Sequence, residues 1–192
     1  MKLQNLTRIV CLAGFAAFST GAALAAEDAR CVSPGAAQDW NFPSEATQLL
    51  KEIRSASIRL TSNATNLESY ARGGVSWQTH AAELTSAREQ VNSIGERIQR
   101  LREIRHMTGP EQQAAIDRIT PVGVSLAAHT QAAIQHLRDN QRFLWAGEYT
   151  SHLNAMADDG DRVSKFVGLH LDLENTQNKL DTLRGQIDSL SI

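Results

Sequence analysis

Residues 44–74 read SEATQLLKEIRSASIRLTSNATNLESYARGG. Their apolar side chains return at Ala46, Leu50, Ile53, Leu60, Ala64, Leu67 and Ala71. The steps alternate between four and three, and Ser57 fills the one polar slot. A helix repeats every 3.6 residues and a strand every two, so this spacing lines one stripe of a rod and suits no strand. It is a heptad seam, the pattern of a helix packed lengthwise on a partner. Pro43-Ser44-Glu45 predicts its start: the Ser44 hydroxyl can cap free backbone N–H groups, and Glu45 suits the positive helix end. Gly73-Gly74 predicts its exit, because glycine accepts the left-handed conformation there.

The same pattern recurs three times downstream. A second helix is predicted from Ser76-Trp77, with Trp77, Leu84, Ala87, Val91, Ile94, Ile98 and Leu101 on one stripe and His80 in register. Thr108-Gly109-Pro110 stops it, since proline cannot continue the hydrogen-bond ladder. A third spans about Pro110 to Asn140, buried through Ile116, Ile119, Val122, Leu126, Ala133 and Leu137. Pro121 predicts a kink there. Its small residues (Gly123, Ala127, Ala128, Ala132, Ala133) imply either a closely approaching helix or a groove. The fourth follows the Leu144-Trp145-Ala146-Gly147 connection and extends to about Leu190, with Phe166, Leu169, Leu173, Leu180, Leu183, Ile187 and Leu190 heptad-spaced and Thr176 as the gap. At about 65 Å it outruns the first helix by about 20 Å. Asp158-Asp159-Gly160-Asp161 is the expected break, with Asp159 capping a second segment. Short connections force neighbours antiparallel. The expectation is an all-α, antiparallel up-down-up-down four-helix bundle over 43–192 with an extended last helix, whose excess length must break, bend or find another partner.

The N-terminus has a different character. Lys2 and Arg8 are the only charges before Glu27, and an apolar run from Ile9 to Phe18 leads to Ala23-Leu24-Ala25. Charged start, apolar middle and small-residue cleavage site are the parts of a secretory signal peptide over 1–26, so the chain is expected to be periplasmic or extracellular. The apolar run is short for a membrane span. Residues 27–42, with Pro34 and Gly35, read as a flexible arm whose Trp40 and Phe42 could dock on the bundle. Cleavage would remove Cys11 and leave Cys31 as a lone thiol, which can pair between chains or equally stay a capped thiol. It would also leave 17 of the 19 basic residues against 21 acidic ones, a net charge of −4. The charges are interspersed, which gives no footprint for nucleic acid or an anionic membrane.

Candidate chemistry is sparse. Six histidines (His80, His106, His129, His136, His152, His170) are present, and a haem or metal site would need several of them to meet in one layer between facing helices. His129 and His136 stand two turns apart, His80 lies on a core stripe, and His170 can reach a core edge. Glu103 and His106 have the Glu-x-x-His spacing of di-iron bundles, but neither a second pair nor the two further glutamates are found. His152 and Met156 share a face that could hold copper. Asp158 to Asp161 is acidic like a calcium loop but lacks its alternating ligands and distal glutamate. No Gly-x-Ser-x-Gly, Ser-x-x-Lys or glycine-rich phosphate loop occurs. Arg97, Arg100 and Arg102 read as a solvated face that could meet an acidic partner. No residue is assigned as catalytic, cofactor-binding or metal-binding.

Leu67-Glu68-Ser69-Tyr70, Ser76-Trp77-Gln78-Thr79-His80, Val91-Asn92-Ser93-Ile94-Gly95, Ala132-Ala133-Ile134-Gln135-His136-Leu137 and Leu144-Trp145 resemble uncharacterised secreted helical-bundle proteins of soil bacteria. That resemblance implies the same bundle and no activity, ligand or site residue. The function expected from the residues is a non-enzymatic binding or scaffold module acting through a helix face or groove. Its partner would be a protein, not nucleic acid, and a homodimer is compatible with the long last helix and Cys31. The alternative is a histidine-ligated haem or metal carrier.

Overall fold

A computed structural model describes residues 41–144 and 147–190. The expected signal peptide, Cys31, the arm up to Trp40 and Trp145 lie outside them. Four helices follow one another: α1 (Phe42–Gly73), α2 (Trp77–Ile104), α3 (Pro110–Asp139) and α4 (Gly147–Leu190), with a 3₁₀ turn at Arg105–Met107 between α2 and α3. Each of α1 and α3 packs along both α2 and α4, while α1 and α3 barely touch across the diagonal. With connections this short, that neighbour order is the up-down-up-down bundle the seams predict. No described helix is long and apolar enough to cross a membrane.

The first three seams build the core as read. Ala46, Leu50, Ile53, Ser57, Leu60, Ala64, Leu67 and Ala71 of α1 are all buried. So are His80, Leu84, Ala87, Val91, Ile94, Ile98 and Leu101 of α2, although Trp77 at its first position is exposed. On α3, Ile116, Ile119, Leu126, Ala133 and Leu137 are buried and Val122 half-buried. The helix continues through Pro121. Its small residues divide: Ala133 is interior, Ala127 and Ala128 face water, and Gly123 lies where a Cβ would come within 2.6 Å of Ile98 Cδ1. A close approach of α2 therefore explains Gly123 but not the whole stripe.

The start of α1 differs from the expectation, while its exit agrees with it. Asn41, not Ser44, caps α1; its side-chain oxygen accepts from the Ser44 amide at 3.1 Å, so the helix starts at Phe42, inside the expected arm. Proline in the first turn leaves this position free, because the missing N–H has no intrahelical partner. Gly74 closes α1 at φ 68°, a left-handed turn that costs glycine nothing.

The fourth seam is the main correction. Leu169 is 72% exposed, Leu173 46%, Leu180 49%, Leu183 54%, Ile187 65% and Leu190 86%. The core contact of α4 is instead made by Tyr149, Leu153, Met156, Gly160, Val163, Val167 and Leu171, a second stripe on another side of the rod. The break expected at Asp158 to Asp161 is also absent, and α4 is continuous. Asp161 pairs with Lys165 at 2.7 Å and Asp159 with Arg162 at 3.5 Å, both one turn on along an unbroken helix. Gly160 serves contact rather than breakage. A Cβ there would stand 2.6 Å from Thr61 Oγ1 and 3.2 Å from the Ser57 carbonyl oxygen, so its hydrogen lets α4 lie directly on α1. Gly168 is similar, with the Arg54 guanidinium lying across it.

The bundle ends at Glu174. Its Oε1 accepts from Thr47 Oγ1 at 2.8 Å and from Gln112 Nε2 at 3.3 Å, and Gln112 also donates to the Pro43 carbonyl at 2.9 Å. This knot ties α1, α3 and α4 together. Beyond it every described residue of α4 is exposed. The overhang, residues 175–190, is about 24 Å of helix outside the bundle.

Candidate functional site

Two places gather features beyond packing: a histidine–tyrosine cluster inside the bundle and the outer face of α4. The cluster forms near the α3–α4 connection, where seam positions of α2, α3 and α4 carry polar aromatic groups. His80 Nδ1 lies 3.0 Å from Tyr149 Oη, and both residues are fully buried. The His136 ring stacks on Tyr149 at 5.6 Å, and Tyr70 meets His80 edge-on at 6.1 Å. His136 Nδ1 is 3.8 Å from Glu148. About one turn further along α4, His152 Nδ1 lies 3.4 Å from His129 Nδ1.

Burial holds the His80 imidazole below its ordinary value of 6.5, while the Tyr70 carbonyl pulls the other way. Burial also pushes the Tyr149 phenol above its ordinary range. A neutral ring accepting from a protonated phenol satisfies both tendencies. Because the folded-state value of His80 is depressed, the stability it contributes is full above pH 6.5 and is lost as pH falls through the folded value. Glu52 and Asp117 are held below their ordinary 4.5 and 3.8 by hydrogen bonds, to Gln48 and Arg97 for the former and to Arg105 for the latter. Their contributions therefore fail only at more acidic pH. The expected result is a melting midpoint that falls between pH 7 and pH 5, with a smaller fall in His80→Phe; thermal melts by circular dichroism across that range check it.

The cluster's chemistry is limited by what fills it. Tyr149 lies between His80 and His136, 5.6 Å from each ring centre, so a haem between those histidines would have to displace a fully buried side chain. His129 and His152 are close enough to share a proton. Among the described residues no group of three or more His, Cys, Asp or Glu side chains is placed to hold a metal ion. Met156 is buried in the core. The remaining candidates stay apart. Glu103 and His106 are both exposed, one ending α2 and the other on the 3₁₀ turn, and Glu103 pairs with Arg100. Arg97 and Arg100 are engaged by Glu52 and Glu45 of α1 at 2.7 and 2.6 Å, which makes them braces between helices.

The outer face of α4 is different in kind. Phe166, Leu169 and Leu173 overlook a groove against α3, whose floor includes Ala114 and Ala115 and whose rim carries Glu111 and Arg118. This cleft holds about 320 Å³. A smaller one of about 190 Å³ continues it past Phe166 to Ile119, Val122 and Val163. A third, of about 270 Å³, flanks Leu173 and Glu174 at the bundle's end. The apolar line then runs onto the overhang through Leu180, Leu183, Ile187 and Leu190. Large aliphatic side chains in such a row mark a contact surface, whereas single exposed ones do not.

The sequence pattern missed Tyr149, the hydrogen-bonding centre of the cluster. Its signal was present: Tyr149, Leu153, Met156, Gly160, Val163 and Val167 also step by four and three. The leucine-rich row on another side simply had the stronger apolar pattern. Compared with known protein families, curated proteins and solved structures, the chain matches none.

Proposed function

We propose that the protein is a non-enzymatic, exported binding module that works through the outer face of α4 and the α3–α4 groove beside it. One observation carries the reading: a heptad row of aliphatic side chains stands in water on a helix whose other stripe completes the core. Exposing six such side chains has a solvation cost that a partner would relieve, at about 25 cal/mol per Å² covered. The signal-like pattern of residues 1–26 supports export. The histidine–tyrosine cluster is assigned to the packing of the bundle, where His80 bonds to Tyr149 and His136 stacks on it.

A photo-crosslinking side chain at position 180, introduced in the host, tests this reading. Position 89, on the exposed face of α2, is the control. Adducts from position 180 and none from 89 are expected. Equal labelling from both, or none from 180, contradicts the assignment of the working face.

A further inference from the structure

The outer row of α4 has the pattern of a coiled-coil strand without its mate, and the charges beside it say which mate fits. Phe166, Leu173, Leu180 and Ile187 fall at one core position of the heptad. Leu169, Thr176, Leu183 and Leu190 fall at the other. The flanking position before the first set carries Lys165, Asp172, Lys179 and Gln186; the one after the second carries His170, Gln177 and Arg184. In a parallel pair these two flanks face each other, and Lys179 of each copy would oppose Arg184 of the other, a like-charge contact made twice. In an antiparallel pair each flank faces itself. One register then sets Lys179 of each copy against Asp172 of the other, also twice. Sliding by one heptad either way replaces those attractions with Lys179 against Lys179 or Asp172 against Asp172.

We propose that α4 binds a second copy of this chain, antiparallel, with Lys179 of each copy beside Asp172 of the other. The claim rests on the preceding reading of the α4 face and names its occupant. The two-fold axis then falls between residues 174 and 175, at the knot where each bundle ends. The two bundles consequently lie at opposite ends, and each overhang runs along the other copy's groove. Leu180 and Leu183 of one copy come over Leu169 and Phe166 of the other, at the 320 Å³ cleft. Ile187 falls opposite Arg162, at the cleft that Ile119, Val122 and Val163 also line, and Leu190 falls beyond it opposite Asp159. A two-fold contact of this kind closes on itself, so no open fibre follows. Each aliphatic side chain covers on the order of 100 Å² when buried. Six per copy cover roughly 600 Å² per side, the low end of the range for specific interfaces.

The experiment uses protein in the form its host accumulates, with Cys11 and Cys31 replaced by serine. Sedimentation equilibrium should give twice the chain mass, and Leu183→Asp should give a monomer whose helical circular dichroism and melting midpoint are retained on dilution. Asp172→Cys/Lys179→Cys should form an interchain disulfide under mild oxidation, because the two positions of one chain are two turns apart and cannot bridge. Crosslinking by Lys179→Cys alone, or by Ile187→Cys alone, would overturn the pairing in favour of a slipped or a parallel one. A monomer at all concentrations would also overturn it. If position 180 still captured a different protein in the host, the reading of the α4 face would survive and only the second copy would be lost; adducts of twice the chain mass support both.

Discussion

Gly160→Leu is expected to lower the unfolding free energy by about 3 kcal/mol, near the top of the range for overpacked interiors. For a chain this size that is a fall of roughly 10 °C in melting midpoint. The cost comes from backbone, which cannot step aside: beyond Thr61 Oγ1, the added side chain meets the Ser57 carbonyl oxygen 3.2 Å from its first carbon. Thr61 is itself fixed, since its hydroxyl donates to that same carbonyl at 3.0 Å. Gly160→Ala gains about 1 kcal/mol of helix propensity yet should still lose stability, because its Cβ makes the 2.6 Å contact. Gly95→Ala is the control. Nothing lies within 4 Å of its added carbon, so it should gain roughly 1 kcal/mol. Urea unfolding of the three variants beside the parent decides whether α1 and α4 touch at this glycine.

Tyr149→Ala should be costlier still, about 3–5 kcal/mol, as for other large buried aromatics. Two losses combine in it. The ring fills the layer between His80 and His136, and its hydroxyl is the hydrogen-bond partner of His80 Nδ1. Tyr149→Phe separates them: it keeps the packing and leaves a buried nitrogen unpaired, a penalty of about 1–3 kcal/mol. If Tyr149→Phe and Tyr149→Ala proved equally harmful, the hydrogen bond rather than the ring would hold the cluster. If both were harmless, Tyr149 would not occupy the core.

The success of the first three seams and the failure of the fourth have one cause. Periodicity reports that a stripe is apolar and helical; it does not report which stripe finds a neighbour. On α1, α2 and α3 only one stripe is apolar, so Leu50, Leu84 and Leu126 had one place to go. On α4 two stripes compete. The row through Leu169 and Leu183 is the more hydrophobic, while the row through Met156, Gly160 and Val163 fits against α1, where small residues let the backbones approach. Shape decided over hydrophobicity, and shape is not written in a single helix. Asp158 to Asp161 misled for a related reason: the glycine that looked like a turn is a contact. The cluster was half legible. His80, His129 and His136 were visible as seam or near-seam positions, but Tyr149 and the pairing of His129 with His152 needed the relative rotation of α3 and α4.

Residue-by-residue amide hydrogen exchange along α4, at a dilution where single chains dominate and again at high concentration, tests the division of this helix most directly. In the dilute sample the segment from Tyr149 to Leu171 should be protected to near the global unfolding free energy. Residues 175–190 should exchange faster by roughly a thousandfold or more, as expected of a helix end with no packed neighbour. Raising the concentration should slow exchange in 175–190 while leaving the protected segment unchanged. Equal protection along the whole of α4 in single chains would mean that Leu180, Leu183 and Ile187 belong to the bundle's own interior, and the division into an inner and an outer face would be wrong.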